Sequence, residues 1–261
     1  MAYYFLFPES DATIYSHPDR TTLNTGHDEI LEIVKEKGSS DARYYPSRIL
    51  IKFKNEEIKS TISDVIGSST FNNNTSKTTL KLLSAEHKNL ERTLNLEVFA
   101  VSSSWDEGLG RFSNLPTSSN GCSWIYRDND VDKTKWTTGS FGNGSSGSIN
   151  AVGITQGGGV WYTGSLFQGS QQFLQGDNLD TDIDVTSIIK KHSSSLFVNQ
   201  TYPTGIVNNG FIIKQPDSVE QSTSSSFGEM QYFSVDTHTV YSPRLCFKWD
   251  DSIQYSAQLT A

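Results

Sequence analysis

The stretch Ser47–Phe53, SRILIKF, decides the fold class. On an extended chain Ile49, Ile51 and Phe53 fall on one side, and Arg48, Leu50 and Lys52 on the other. Side chains alternate across a strand, so a period of two in β-branched and aromatic residues marks a strand with a face in a core. The same period recurs along the chain. TTLKLL (Thr78–Leu83) sets Leu80 and Leu82 on one face, and LNLEVFAV (Leu94–Val101) does the same with Leu94, Leu96, Val98 and Ala100. GFIIK (Gly210–Lys214) and PRLCFKW (Pro243–Trp249) follow, the latter with Leu245, Phe247 and Trp249 together. Clusters of Gly, Ser, Asn and Asp separate these runs, which predicts an all-β antiparallel sandwich with long Gly/Ser-rich loops.

Helix is scarce. EEIKSTISDVI (Glu56–Ile66) brings Ile58, Ile62, Val65 and Ile66 to one helical face, and DVTSIIKKH (Asp184–His192) offers Asp184 as N-cap before Val185, Ile188 and Ile189. One or two short connecting helices are therefore expected. Ser68–Ser76 and Thr137–Gly159 are low in complexity and read as surface loops, because Gly, Ser and Asn cannot fill a core. Strand spacing resumes after residue 160, so residues 1–261 read as a single β-sandwich domain with an elaborated loop region around 114–161.

The chain is 261 residues long, enough for one large core without covalent staples. Only 35% of residues are hydrophobic and the mean hydropathy is -0.44, yet 11% are aromatic. Rings bury a large area each, which suits two sheets packed face to face. The net charge of -8 disfavours nucleic acid and anionic membranes as partners, since both attract a positive face. No run approaches the roughly 18 apolar residues of a transmembrane helix. Tyr3–Phe7, YYFLF, ends at Pro8 and Glu9 and reads as a first strand. It lacks the basic segment and cleavage site of a signal peptide, so a protein made and used without secretion is expected. Cys122 and Cys246 lie far apart and outside any CxxC, and a chain of this length does not require them to pair.

Catalytic motifs are not apparent. His17, His27, His87, His192 and His238 are scattered, and GITQGGGVW (Gly153–Trp161) has no following Lys-Ser/Thr to make a phosphate loop. Asp106 and Glu107 are adjacent, so their side chains diverge and do not form a glycosidase pair. Asp128, Asp130 and Asp132 alternate like the first ligands of a calcium loop, but Lys133 stands where such a loop needs Gly, and Gly139 where it needs Glu. Asp177, Asp180, Asp182 and Asp184 read as a turn, an exposed strand face and a helix cap. No cofactor and no catalytic residue is expected; structural calcium at one of these clusters is the single candidate ligand, and the chain reads as a non-enzyme.

One ordered set of segments resembles a known family. SDATIYS (Ser10–Ser16), the Asn24-Thr25-Gly26 turn and DEILEI (Asp28–Ile33) look like the start of a DNRLRE-type domain, also grouped with carbohydrate-binding modules. SRILIKF, LKLL, LNLEVFAV and SSSWDEG (Ser102–Gly108) are similar to its later segments, as are IDVTSII (Ile183–Ile189), GFIIK and SPRLCFKW. The pieces span Asp11 to Trp249. The chain departs from the pattern between Asn114 and Trp161, where Phe112 precedes Leu115-Pro116 in place of the family's Trp. The resemblance implies a β-sandwich jelly roll, and an unleadered chain of this kind is similar to virion structural proteins of tailed phages of marine cyanobacteria.

From that resemblance follows the expected role: a component of a phage particle (head decoration, neck, tail or baseplate), assembled in the host cytoplasm and held by other virion proteins in a symmetric assembly. The alternative is a carbohydrate-binding module or receptor-binding adhesin. Trp124, Tyr126, Trp136, Trp161 and Tyr162, in or beside the long loops, are the candidate contacts for a partner protein or a glycan. Trp105 of the Trp105-Asp106-Glu107-Gly108 motif reads as a cap on the sandwich end in preference to a sugar platform.

Overall fold

The computed structural model describes residues 1–72, 76–88, 90, 93–113, 120–130, 133–136, 144–145, 157–196, 205–222 and 227–251, with backbone alone at 144–145 and 194–196. In chain order the strands are β1 (Ala2–Leu6), β2 (Ser10–Tyr15), β3 (Ile30–Lys37), β4 (Tyr44–Lys52), β5 (Lys77–Lys81), β6 (Ser84–Lys88), β7 (Thr93–Ala100) and β8 (Tyr126–Asp128). They continue with β9 (Thr134–Lys135), β10 (Gly144–Ser145), β11 (Trp161–Tyr162), β12 (Gln168–Leu174), β13 (Ile183–Asp184), β14 (Phe211–Lys214), β15 (Glu229–Phe233) and β16 (Arg244–Trp249). The helices are α1 (Asn55–Ser60), α2 (Ser68–Asn72), α3 (Thr186–Leu196) and α4 (Asp217–Glu220). The protein is mainly β, built of antiparallel sheets, one of which curls into a half-barrel.

A four-stranded sheet runs β1-β16-β5-β13, and the curled sheet runs β12-β7-β14-β4-β3-β15-β6 with β2 also on β4. The SRILIKF strand, β4, is the organising element. One of its edges carries β14, with Phe211 opposite Ile51. The other carries β3 as far as Lys35 opposite Pro46, and then β2, with Thr13 opposite Ile49. Where β3 leaves β4, hydroxyls replace the ladder. Glu32 N donates to Thr13 Oγ1 at 3.0 Å, Val34 N to Ser47 Oγ at 2.9 Å, and Ser47 Oγ to the Glu32 carbonyl at 2.7 Å. These hydroxyls give the amides of Glu32 and Val34 and the carbonyl of Glu32 partners where the sheet splits.

The period of two places the main core as expected. Ile49, Ile51, Phe53, Leu96, Val98, Phe211 and Ile213 of the curled sheet share it with Leu80, Leu245, Phe247 and Trp249 of the four-stranded sheet. Both expected helices add to it, and Asp184 Oδ1 accepts from Thr186 N at 3.0 Å as the cap of α3. Val65 departs from expectation and is exposed. The helix widens from α to π over Thr61–Ile66, so Ile62 and Ile66 stay inward while Val65 rotates out. Ser68–Ser76 is not all loop either: α2 buries Phe71, whose ring lies 6.4 Å from that of Phe247, although residues 73–75 lie outside the description.

The opposite face of the curled sheet is covered as well. Ala12, Ile14, Leu50, Phe99, Val101 and Ile212 form a second core with Trp105, Cys122, Trp124, Trp136, Val160 and Trp161. The expectation that the 114–161 region is surface loop is thus corrected for its described parts. Glycine is what lets that chain lie against the sheet. Gly158 has φ +80, and a Cβ there would stand 2.6 Å from Arg48 Nη1 and 2.7 Å from Trp124 Cζ2.

Within this second layer Arg48 is fully buried. Its Nη2 lies 2.8 Å from Glu220 Oε2, its Nη1 donates to the Gly158 carbonyl, and its Cζ sits 4.7 Å from the Trp124 ring and 5.0 Å from that of Trp161. Lys214, also buried, reaches Asp217 at 2.7 Å and Glu220 at 3.6 Å. Removing one partner of a buried pair leaves an uncompensated charge. Arg48→Met is therefore expected to lower unfolding free energy by about 3–5 kcal/mol in urea titration.

Candidate functional site

Three of the expected contact residues are interior. Trp124, Trp136 and Trp161 are 1%, 4% and 4% exposed, so as exposed anchors they are corrected. The reason is the apolar second face of the sheet, which needs cover: Trp161 packs 5.7 Å from Phe99, and Trp136 Nε1 donates to the Ser123 carbonyl at 2.8 Å. Tyr126 and Tyr162 are half-buried, the latter ring 5.4 Å from Phe167. Trp105 caps the layer, as read from sequence, and its Nε1 donates to the Asn209 carbonyl at 2.8 Å.

The structure joins two turns whose linked residues, Asn24 and Glu107, are 83 positions apart in sequence. Asn24 of the Asn-Thr-Gly turn is buried; its Nδ2 donates to the carbonyls of Glu107 at 2.6 Å and Cys122 at 2.8 Å, and its Oδ1 accepts from Gly110 N at 2.7 Å. Gly26 packs so closely on the WDEG turn that a Cβ would stand 2.2 Å from the Glu107 carbonyl oxygen. The Glu107 carboxylate accepts from Asp11 N at 2.7 Å, and Asp11 Oδ2 accepts from Val235 N at 2.7 Å. Burial pushes Glu107 up to about 7 and raises Asp11 well above the usual carboxylate range.

A cavity of about 260 Å³ opens at the wedge between β2 and β3. Tyr15, Asp28, Glu32, Arg111 and Phe112 line it. Asp28 Oδ2 accepts from Phe112 N at 2.8 Å, and Glu32 accepts from Tyr15 Oη and, at 2.9 Å, from Gln231 Nε2. The Phe112 ring lies under Arg20, 4.4 Å from its Cζ, and 5.4 Å from Tyr15. Burial lifts Asp28 to about 6 and raises Glu32. Such a hollow can accept hydrogen bonds from hydroxyls and offers one ring. Its carboxylates are already engaged in holding backbone and side chains, which leaves them poorly placed for proton transfer to a substrate.

The acidic clusters are otherwise employed. Asp182 lies 3.6 Å from Lys81 and 3.7 Å from Lys248, Asp184 lies 3.6 Å from Lys77, Asp177 accepts from Leu174 N, and Asp180 from Ser84 N. Asp130 N donates to Asp128 Oδ1 within a turn, while Asp132 lies outside the described residues, as do Leu115, Pro116 and most of Thr137–Gly159. No group of three or more metal-ligating side chains occurs among the described residues. Cys122 and Cys246 are free thiols, both buried, with burial raising each. The helix α4 escaped the sequence reading, although Pro216 followed by Asp217 is a helix-start signal. Lys35, also unnoticed, donates to the Val219 carbonyl at 2.6 Å at the other end of α4.

No protein-family model matches the chain, and no curated protein matches it.

The titrations oppose one another. Glu107 and Asp28 have folded values near 7 and 6 against ordinary values of 4.5 and 3.8, so the stability they contribute in protonated form is full below about pH 4 and is lost as pH rises to 6 and 7. His192, pushed by burial from 6.5 down to about 3, contributes stability that is present above 6.5 and lost as pH falls below it. Melting temperature is expected to be highest at about pH 4 and to fall toward pH 7, because two carboxylates lose stability over the range in which one histidine gains it. Glu107→Gln should lessen the fall between about pH 4.5 and 7, and His192→Phe should steepen it by removing the opposing gain, as read by thermal melts across pH.

Proposed function

We propose that the chain is a non-enzymatic building block of a tailed-phage particle: a jelly-roll sandwich in a head decoration, neck, tail or baseplate position that acts through protein–protein contacts. The observation that carries the contact half of this reading is β1. Tyr3, Tyr4 and Phe5 are exposed on it, Phe7 follows, and no charged side chain lies between Met1 and Phe7. A row of rings on an outer strand is costly to leave in water and marks a surface meant to be covered. The phage setting is supported by the ordered DNRLRE-like segments. The sharing of one core between the four-stranded sheet and the curled sheet supports the jelly roll. The engagement of Asp11, Asp28, Glu32 and Glu107 in structural hydrogen bonds supports the non-enzymatic part. Particles purified from the source should contain the chain in stoichiometric amount by quantitative mass spectrometry; its absence from intact particles overturns the reading.

A carbohydrate-binding module or receptor-binding adhesin is the second reading, favoured by the Asp28–Glu32–Phe112 cavity. Carboxylates repel polyuronates, so the ligand would be a neutral, hydroxyl-rich polysaccharide. A glycan array should then show binding that weakens about tenfold or more in Phe112→Ala. Equal signal from both proteins removes this alternative.

A further inference from the structure

We propose that β1 is a self-pairing edge, at which two copies of this chain join antiparallel across a two-fold axis through Tyr4, extending the four-stranded sheet of each copy into one continuous sheet. This deepens the assembly reading and rests on it. In the described structure β1 pairs along one edge only, with β16, so the other edge presents backbone donors and acceptors from Ala2 to Leu6. Strand edges in natural proteins are blunted by charge, shortness or cover. The other described outer strands of the two larger sheets are short, charged or polar. The β13 strand is two residues long and flanked by Asp182, β6 carries Glu86 and Lys88, and β12 is polar, with Gln168, Ser170, Gln171 and Gln172. Among the described outer strands β1 is the one that exposes a row of rings, with Tyr3, Tyr4, Phe5 and Phe7 at 54%, 41%, 43% and 52% exposure.

Three observations select a second copy as the occupant. The first is register. Antiparallel pairing about Tyr4 sets Tyr3 opposite Phe5, Ala2 opposite Leu6 and Met1 opposite Phe7, so apolar meets apolar at every position. The second is charge. On each copy the neighbouring strand places Arg244 Cζ 5.8 Å from the Phe5 ring and Lys248 Nζ 5.8 Å from the Tyr3 ring. These cations remain a strand away from the joint and cap the rings from their own side, whereas a basic partner strand would be repelled. The third is area. Four half-exposed rings and Met1 present on the order of 500 Å² of apolar surface, so a symmetric pair buries at most roughly 1,000 Å², the size of a weak, concentration-dependent pair. A hollow of about 440 Å³ beside the strand, lined by Tyr4, Phe7, Lys54 and Thr61, leaves room for ring adjustment at the axis.

Sedimentation of the full chain over a dilution series should show a monomer–dimer equilibrium. Tyr4→Lys and Phe5→Lys should each raise the dimer dissociation constant about 30-fold or more while circular dichroism stays native, since both positions are exposed. Tyr4→Cys should give a disulfide-linked dimer on mild oxidation, because residues on the axis face each other within disulfide range, whereas Phe7→Cys should not link to itself. The native thiols are buried and give no background. A monomer at every concentration with a native fold overturns the proposal, as does a dimer that survives both lysine variants. If deleting residues 252–261 is what turns a monomer into a dimer, the chain's own C-terminal segment covers β1 and the proposal falls. A monomer in these experiments leaves the particle reading to its own co-purification test, so the two can fail separately.

Discussion

The guanidinium of Arg48 is the point on which two layers of this protein converge. It projects from the central strand of the curled sheet into a second, indole-lined core, where Trp124 and Trp161 lie against it and Glu220 pairs with it. A charge buried to that depth is tolerated only if every donor finds an acceptor and the surroundings are held still. That requirement ties the glycine-rich chain at Gly158, the short helix α4 and the sheet itself into one arrangement. Lys214 and Lys35 extend the same logic, one toward Asp217 at the start of α4 and the other to the carbonyl of Val219 near its end. A four-residue helix has little stability of its own, so its position is set by these cations.

A second fixture lies on the β2 side of the layer. Asn24 satisfies carbonyls of two separate segments and accepts the amide of Gly110 from the first of them, and Gly26 and Gly108 allow the two turns to touch. The carboxylates of Asp11 and Glu107 stitch β2, the WDEG turn and the Ser234–Asp236 turn together by accepting backbone amides. These groups sit in low dielectric at an elevated proton affinity, so they serve as structural acceptors and not as surface charges. The cavity at Asp28, Glu32 and Phe112 is the outward mouth of the same wedge, opened because β3 leaves β4 at Pro46.

The period of two in SRILIKF, LNLEVFAV and PRLCFKW, and the caps and apolar spacing of IDVTSII, were enough to establish an antiparallel β protein and most of its main core. Those signals are local: alternation and capping act over a few residues, and each segment carries its own. Trp105 as a cap was legible for the same reason. The second core was not. Its indoles stand in Gly/Ser/Asn-rich stretches whose composition, taken alone, describes exposed loop, and only contact with the apolar back face of the curled sheet turns Trp124, Trp136 and Trp161 inward. The pairing of Arg48 with Glu220, 172 residues later, and the meeting of Asn24 with Glu107 likewise have no local trace, because each depends on two strands being brought side by side. The YYFLF run was readable as a strand, but that it lies at the edge of its sheet, paired on one side alone among the described residues, is a property of strand order. Sequence determines which segments extend and which face of each is apolar; tertiary structure decides which of those faces find cover, because cover is supplied by chain that is distant in sequence.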